Sequence, residues 1–242
     1  MLNRLFAAIL RLQRAVVVIE LALAATYIAV DVPRGGEIGK ALFPWTGGIF
    51  AVAGLLTWQA AVRWRPAALV RRVQPPGFEA PASPLAVLAF TTLLPFATEQ
   101  VSTAVDRVAK RIDLWWLDIP TSALWVLALT VLARAVWVGF GVRLRPDGVV
   151  DRRLVGSLFV PWEALAAEIP PMSARRSQVV LAYRDPRLVQ SFGIGKSGNV
   201  ITAGNVDNRF LARAIQEYVR HPEYRSAIGT PAELHRLHAA AG

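Results

Sequence analysis

Four apolar stretches crowd the first 142 residues of this 242-residue chain, and nothing after them is long and apolar enough to enter a bilayer. A hydrocarbon core of ~30 Å takes about 20 apolar helical residues per crossing. Four crossings therefore consume roughly 80 to 90 residues, leaving enough for one domain of about 100 residues with a modest core. An apolar content of 54% and a mean hydropathy of +0.39 fit a membrane-embedded half carrying a water-facing half. Cysteine is absent, which removes disulfides, thiolate metal sites and cysteine nucleophiles.

The first expected span covers Ala15 to Val30, behind the basic leader Arg4, Arg11 and Arg14. It reads as an uncleaved anchor: the run is too long for a signal peptide, Glu20 interrupts it, and another span follows at once. The second covers about Leu42 to Val62, with Gly47, Gly48 and Gly54 as small faces for helix contact. The third, from Leu85 to Thr98, is the weakest, with Pro95 inside it and Glu99-Gln100 after it. The fourth covers about Ile119 to Phe140, with Trp115, Trp116 and Trp137 near its ends as an aromatic belt requires.

Lys/Arg counts in the short loops set the orientation. Arg4, Arg11 and Arg14, then Arg63, Arg65, Arg71 and Arg72, then Arg143 and Arg145 all fall on one side. Both termini are therefore expected in the cytoplasm. Arg107, Lys110 and Arg111 run against the pattern; they are read as part of an amphipathic extension on the outer face, through Val101, Val105, Val108 and Ile112. Lysine occurs only at Lys40, Lys110 and Lys196, and the Arg/Ala/Val-rich usage leads to the expectation of a bacterial inner membrane.

Ionisable side chains inside a bilayer are functional suspects. Glu20, Glu99 and Arg134 qualify. Glu20 and Arg134 lie at similar depth in spans one and four, and an ion pair between them would relieve both desolvation costs.

After Gly141 the pattern changes to short alternating segments with turns. Val142 to Arg145, Val149-Val150, Leu158 to Trp162, Val179 to Tyr183, Leu188 to Phe192 and Asn199 to Thr202 read as extended, with a turn at Pro146-Asp147-Gly148. A helix follows from Val206 to about His221, with Phe210, Leu211, Ala214, Ile215, Tyr218 and Val219 on one face. These strands predict a small antiparallel β-barrel or sandwich closed by one helix. Leu144-Arg-Pro-Asp-Gly148, Val160-Pro-Trp-Glu163 and the closing helix together resemble the bacterial pleckstrin-homology-like (PH-like) domains of membrane proteins, over about 142–221. That resemblance implies the fold and a membrane-proximal position. Arg143, Arg145, Arg152 and Arg153 surround the first hairpin, where they would secure the domain against anionic headgroups at about 1 kcal/mol each.

Gly193-Ile-Gly-Lys-Ser-Gly198 fits G-x-G-x-x-G, but extended Asn199-Val-Ile-Thr202 follows instead of a helix, so it reads as a connection between strands. Thr230-Pro-Ala-Glu233 is a capping box starting a short helix in the tail. His221, His235 and His238 are read as solvated. The expected organisation is thus an α-helical transmembrane bundle of four spans over 1–141, a PH-like domain over 142–221 and a tail over 222–242. No nucleophile–base set, carboxylate dyad or metal cluster emerges, so a non-enzymatic protein without a cofactor is expected. Its partners would be the lipid bilayer and a protein or lipid surface, with self-association left open. A small transporter or transport accessory using Glu20 and Glu99 is the alternative. Nucleic-acid binding fits poorly despite a pI near 11.1, because acidic residues are interspersed among the basic ones of the water-facing half.

Overall fold

The computed structural model describes all residues except 1, 35–36, 112–114, 154–155, 175–176, 194–197 and 242, and the backbone alone for 2–5, 37–44, 115 and 241. The chain forms two compact units. One combines Met1–Arg63 with Ser83–Val138, the other Trp64–Ala82 with Gly139–Gly242.

The first unit is helical. Helices α1 (Leu2–Asp31), α2 (Glu37–Arg63), α3 (Leu85–Lys110) and α4 (Trp115–Val138) are each long and apolar enough to cross a bilayer. The span that looks weakest in sequence is the central one: half of the most apolar window of α3 is buried, against 11% in each of the others. A helix surrounded by helices need not be uniformly apolar, and its polar groups face its neighbours. Thr91 Oγ1 donates to Glu20 Oε1 at 2.8 Å, Thr92 and Thr57 share a 3.1 Å hydrogen bond, and Ser102 Oγ donates to Asp31 Oδ2 at 3.3 Å. Phe50 and Phe96 meet edge to face at 4.6 Å. The expected amphipathic extension is no separate element, since α3 continues through Pro95 to Lys110. Two of the three cations that ran against the loop count have partners here: Lys110 is 2.7 Å from Asp106 and Arg107 is 3.7 Å from Asp118.

The second unit contains two antiparallel sheets. Strands β1 (Val70–Arg72), β2 (Gly77–Glu79), β3 (Gly141–Arg145), β4 (Gly148–Arg152), β5 (Ser157–Pro161) and β8 (Gln190–Phe192) form one in the order β1-β2-β3-β4-β5-β8. Strands β6 (Met172–Ala174), β7 (Gln178–Val180) and β9 (Val200–Thr202) form the other. Of the barrel or sandwich expected, a closed barrel does not form, because among the described residues β6, β7 and β9 ladder only with one another.

The segment between α2 and α3 reads in sequence as a linker, yet it supplies the first two strands. Phe78 pairs with Leu144 and Glu79 with Arg143. Phe78 and Leu144 are fully buried with Val142, Val149, Leu158, Val160 and Trp162. Gly148 completes the expected turn, and only glycine fits there: a Cβ would lie 2.4 Å from the Val160 carbonyl oxygen.

Helix α5 (Asn208–Arg220) covers the core with the predicted stripe, and Asp207 caps it by accepting from the Phe210 amide at 2.8 Å. The tail is built into the same core through Ile228 and Leu237. Its helix α6 (Pro231–Ala241) starts with the Glu233 amide donating to Thr230 Oγ1. The Glu233 carboxylate does not complete the capping box. It accepts from Tyr218 Oη at 2.9 Å and from Arg236 at 2.8 Å, and Arg236 also reaches Glu217 at 2.7 Å. Burial and Glu233 together push the Tyr218 hydroxyl far above its ordinary range. His238, expected in solvent, accepts from the Leu69 amide through Nε2 at 3.2 Å and lies 5.7 Å from the Phe210 ring.

Candidate functional site

The outer face of the six-stranded sheet follows from its register. With Phe78, Leu144 and Val149 pointing inward, alternation turns Glu79, Arg143, Arg145, Val150 and Arg152 outward. Glu79 is the hub. Its Oε2 accepts from Arg72 Nη1 at 2.9 Å and its Oε1 from Arg143 Nη2 at 2.8 Å. Arg143 is only 6% exposed, a depth at which an unpaired charge would be costly. Burial pushes its guanidinium below the usual range, Glu79 works against that, and the charges of Arg152 and Arg72 add to it.

Arg145 Nε lies 3.1 Å from Asp147, without the alignment of a hydrogen bond. Arg152 has no ion-pair or hydrogen-bond partner among the described residues. Four guanidinium groups thus meet two carboxylates. The four arginines and Glu79 line a cavity of about 40 Å³, together with Phe78 and Val150. That is room for water or one oxygen-bearing group, well below the ~300 Å³ of a small-molecule pocket. The arrangement is a cationic surface, suited to anions presented from outside.

Of the four arginines expected at the first hairpin, Arg143, Arg145 and Arg152 share this face. Arg153 does not: its Nε donates to Asp151 Oδ2 at 3.0 Å and its Nη2 to the Val200 carbonyl at 3.1 Å, so it ties β4 to β9. Asp151 is buried, accepts also from the Thr202 amide at 3.2 Å, and has its carboxyl pushed up by burial. Trp162 of the Val160-Pro-Trp-Glu163 stretch is structural too: its indole N–H donates to the Arg145 carbonyl at 2.9 Å. Arg72 and Glu79 were not anticipated as site residues. Their signal was the Pro75-Pro76-Gly77 turn between the short alternating runs Val70-Arg-Arg and Gly77-Phe-Glu.

In the helical unit, no Glu20–Arg134 ion pair forms among the described residues. Glu20 instead takes the hydroxyl of Thr91, and its Oε2 is buried without a partner. The arginine that reaches across helices is Arg14, whose Nη2 donates to the Trp137 carbonyl at 3.2 Å in the last turn of α4. Glu99 accepts from Tyr27 Oη at 3.0 Å. Residues 194–197 of the glycine-rich string lie outside the described residues. Among the described residues no group of three or more His, Asp or Glu converges as a metal site would require. Comparison with known proteins identifies no relative: no family model, curated protein or solved structure matches this chain.

Proposed function

We propose that this chain is a non-enzymatic bacterial inner-membrane protein whose sheet unit, held at the cytoplasmic face, binds a protein partner or a lipid surface. The observation that carries the reading is the cationic outer face around Glu79, with Arg72, Arg143, Arg145 and Arg152 on adjacent strands. These strands sit close in sequence to span ends: Gly141 opens β3 three residues after Val138, and Glu79 ends β2 six residues before Leu85. Arginines so close to an anionic leaflet gain about 1 kcal/mol each.

The discontinuous unit also supports the orientation. Trp64–Ala82 and Gly139–Gly242 fold together, so the chain leaves and returns to one side through α3 and α4. That side holds Arg65, Arg71, Arg72, Arg143 and Arg145, the cationic side expected in the cytoplasm. Antiparallel strands followed by a closing helix are in keeping with a PH-like module.

The alternative is a transport role, favoured by one observation. Glu20–Thr91, Tyr27–Glu99 and Asp31–Ser102 form a polar seam between α1 and α3, spread over about 16 Å of helix. Affinity capture from gently solubilised membranes separates the two readings. A binding module loses its partner in Arg145→Gln/Arg152→Gln and keeps it in Glu99→Gln. A transporter shows the reverse, losing flux in Glu99→Gln alone.

A further inference from the structure

The exposed side of α5 carries a second cationic surface, distinct from the sheet face. Arg209, Arg213 and Arg220 are exposed and recur at intervals of four and seven, one stripe of the helix. None of the three has an ion-pair partner among the described residues. The nearby acidic groups are already engaged: Glu217 and Glu233 both hold Arg236, which also stacks on the Tyr224 ring at 3.8 Å.

Arg213 and Arg220 flank a cavity of about 190 Å³, lined also by Gln216, Glu217 and Ala240 of α6. An apolar cavity of about 150 Å³ holds benzene, so this one accommodates one or two side chains but no cofactor. Arg220 is held ready. With the Gln216 amide oxygen turned towards it, its Nη2 and Nε donate to that oxygen at 2.9 and 3.2 Å. Its remaining N–H groups, with all of those of Arg213, are left for an outside acceptor.

We infer that the groove between α5 and α6 seats an acidic segment of a protein partner, with partner carboxylates received by Arg213 and Arg220. The spacing favours a peptide. The two arginines stand two helical turns, about 10 Å, apart, whereas duplex DNA carries one charge per ~1.7 Å and rewards denser cations. Glu217 in the wall disfavours multiply charged phosphate while a single carboxylate on the guanidinium fork is satisfied. This inference rests on the binding-module reading and names the partner's chemistry.

The test uses the full chain purified in a nonionic detergent, with a fluorescent hexaglutamate peptide as probe. Arg213→Gln/Arg220→Gln should weaken peptide binding about tenfold. Arg184→Gln/Arg187→Gln, which removes equal charge from exposed positions elsewhere, should change it less than twofold. Matching melting temperatures of the two variants show that both are folded. Equal weakening in both variants, or no peptide binding at all, overturns the inference. So does displacement of the peptide by inorganic phosphate or phosphatidylglycerol nanodiscs at lower concentration than free glutamate peptide. A native chain that binds no peptide, with partner capture still dependent on Arg145 and Arg152, overturns this groove and leaves the module reading standing. Loss of both overturns the module.

Discussion

The two units solve the same problem of buried polarity in opposite ways. In the sheet unit an apolar core runs from Phe78 to Leu237, the few buried carboxylates such as Asp151 and Glu233 are hydrogen-bonded, and a cluster of charges stands at the outer face around Glu79. In the helical unit the greasy surface is outside, and the polar contacts lie between helices: Glu20 with Thr91, Asp31 with Ser102, Thr57 with Thr92. Water drives the first arrangement by expelling apolar area. Lipid offers no such drive between helices, so hydrogen bonds and close packing hold them. A polar residue therefore means different things in the two halves. On the sheet around Glu79 it stands at the outer face, and in the bundle it marks a joint between helices.

That contrast can be broken most severely at Phe78, which belongs to the sheet core although it lies between two spans. Phe78→Ala should cost about 3–5 kcal/mol and expose the sheet unit to limited proteolysis while the helices remain resistant. A mere linker would show no change. Next comes Glu79→Ala, which strands the buried Arg143 and should cost about 3 kcal/mol by thermal unfolding. Adding Arg143→Met should recover most of that loss, whereas a site held together only by packing would lose more. In the bundle, Glu20→Gln and Thr91→Val should each cost only about 0.6 kcal/mol, and their combination should cost little more than either. Arg134→Ala should add independently to Glu20→Gln, since no ion pair joins them.

The smallest expected effect is at Asp151, where burial raises the carboxyl above its ordinary value of 3.8. The folded chain then holds that proton more tightly than the unfolded chain. Stability falls as pH rises through the folded-state value and recovers on acidification. Relative to Asp151→Asn, the melting temperature of the native chain should therefore rise as pH is lowered towards that window; a relative fall would contradict the assignment.

How much of this was legible depends on the range over which each signal acts. Four helices were readable because a bilayer demands long apolar runs, and α5 because its stripe repeats locally. The importance of α3 was hidden by its own polarity: Thr91, Thr92 and Ser102 lower its hydropathy because they serve its neighbours. The strands of 70–79 are three residues each, too short for alternation to stand out. Their partner lies more than 60 positions away, so the Glu79–Arg143 contact has no local trace. The tail failed for the same reason, since Leu237 and Ile228 look isolated until α5 is beneath them. Arg143, Arg145 and Arg152 could be placed together from the hairpin alone; that Arg153 turns away could not.

Because the chain has no cysteine, one labelling measurement bears directly on the central claim that the loop between the second and third spans belongs with the carboxyl-terminal half. Single cysteines at Val73 and Thr230, probed in whole cells with a membrane-impermeant maleimide, should both stay unlabelled until the membrane is opened, then both react. Labelling of one from outside while the other stays protected would place the two segments on opposite sides and contradict the account.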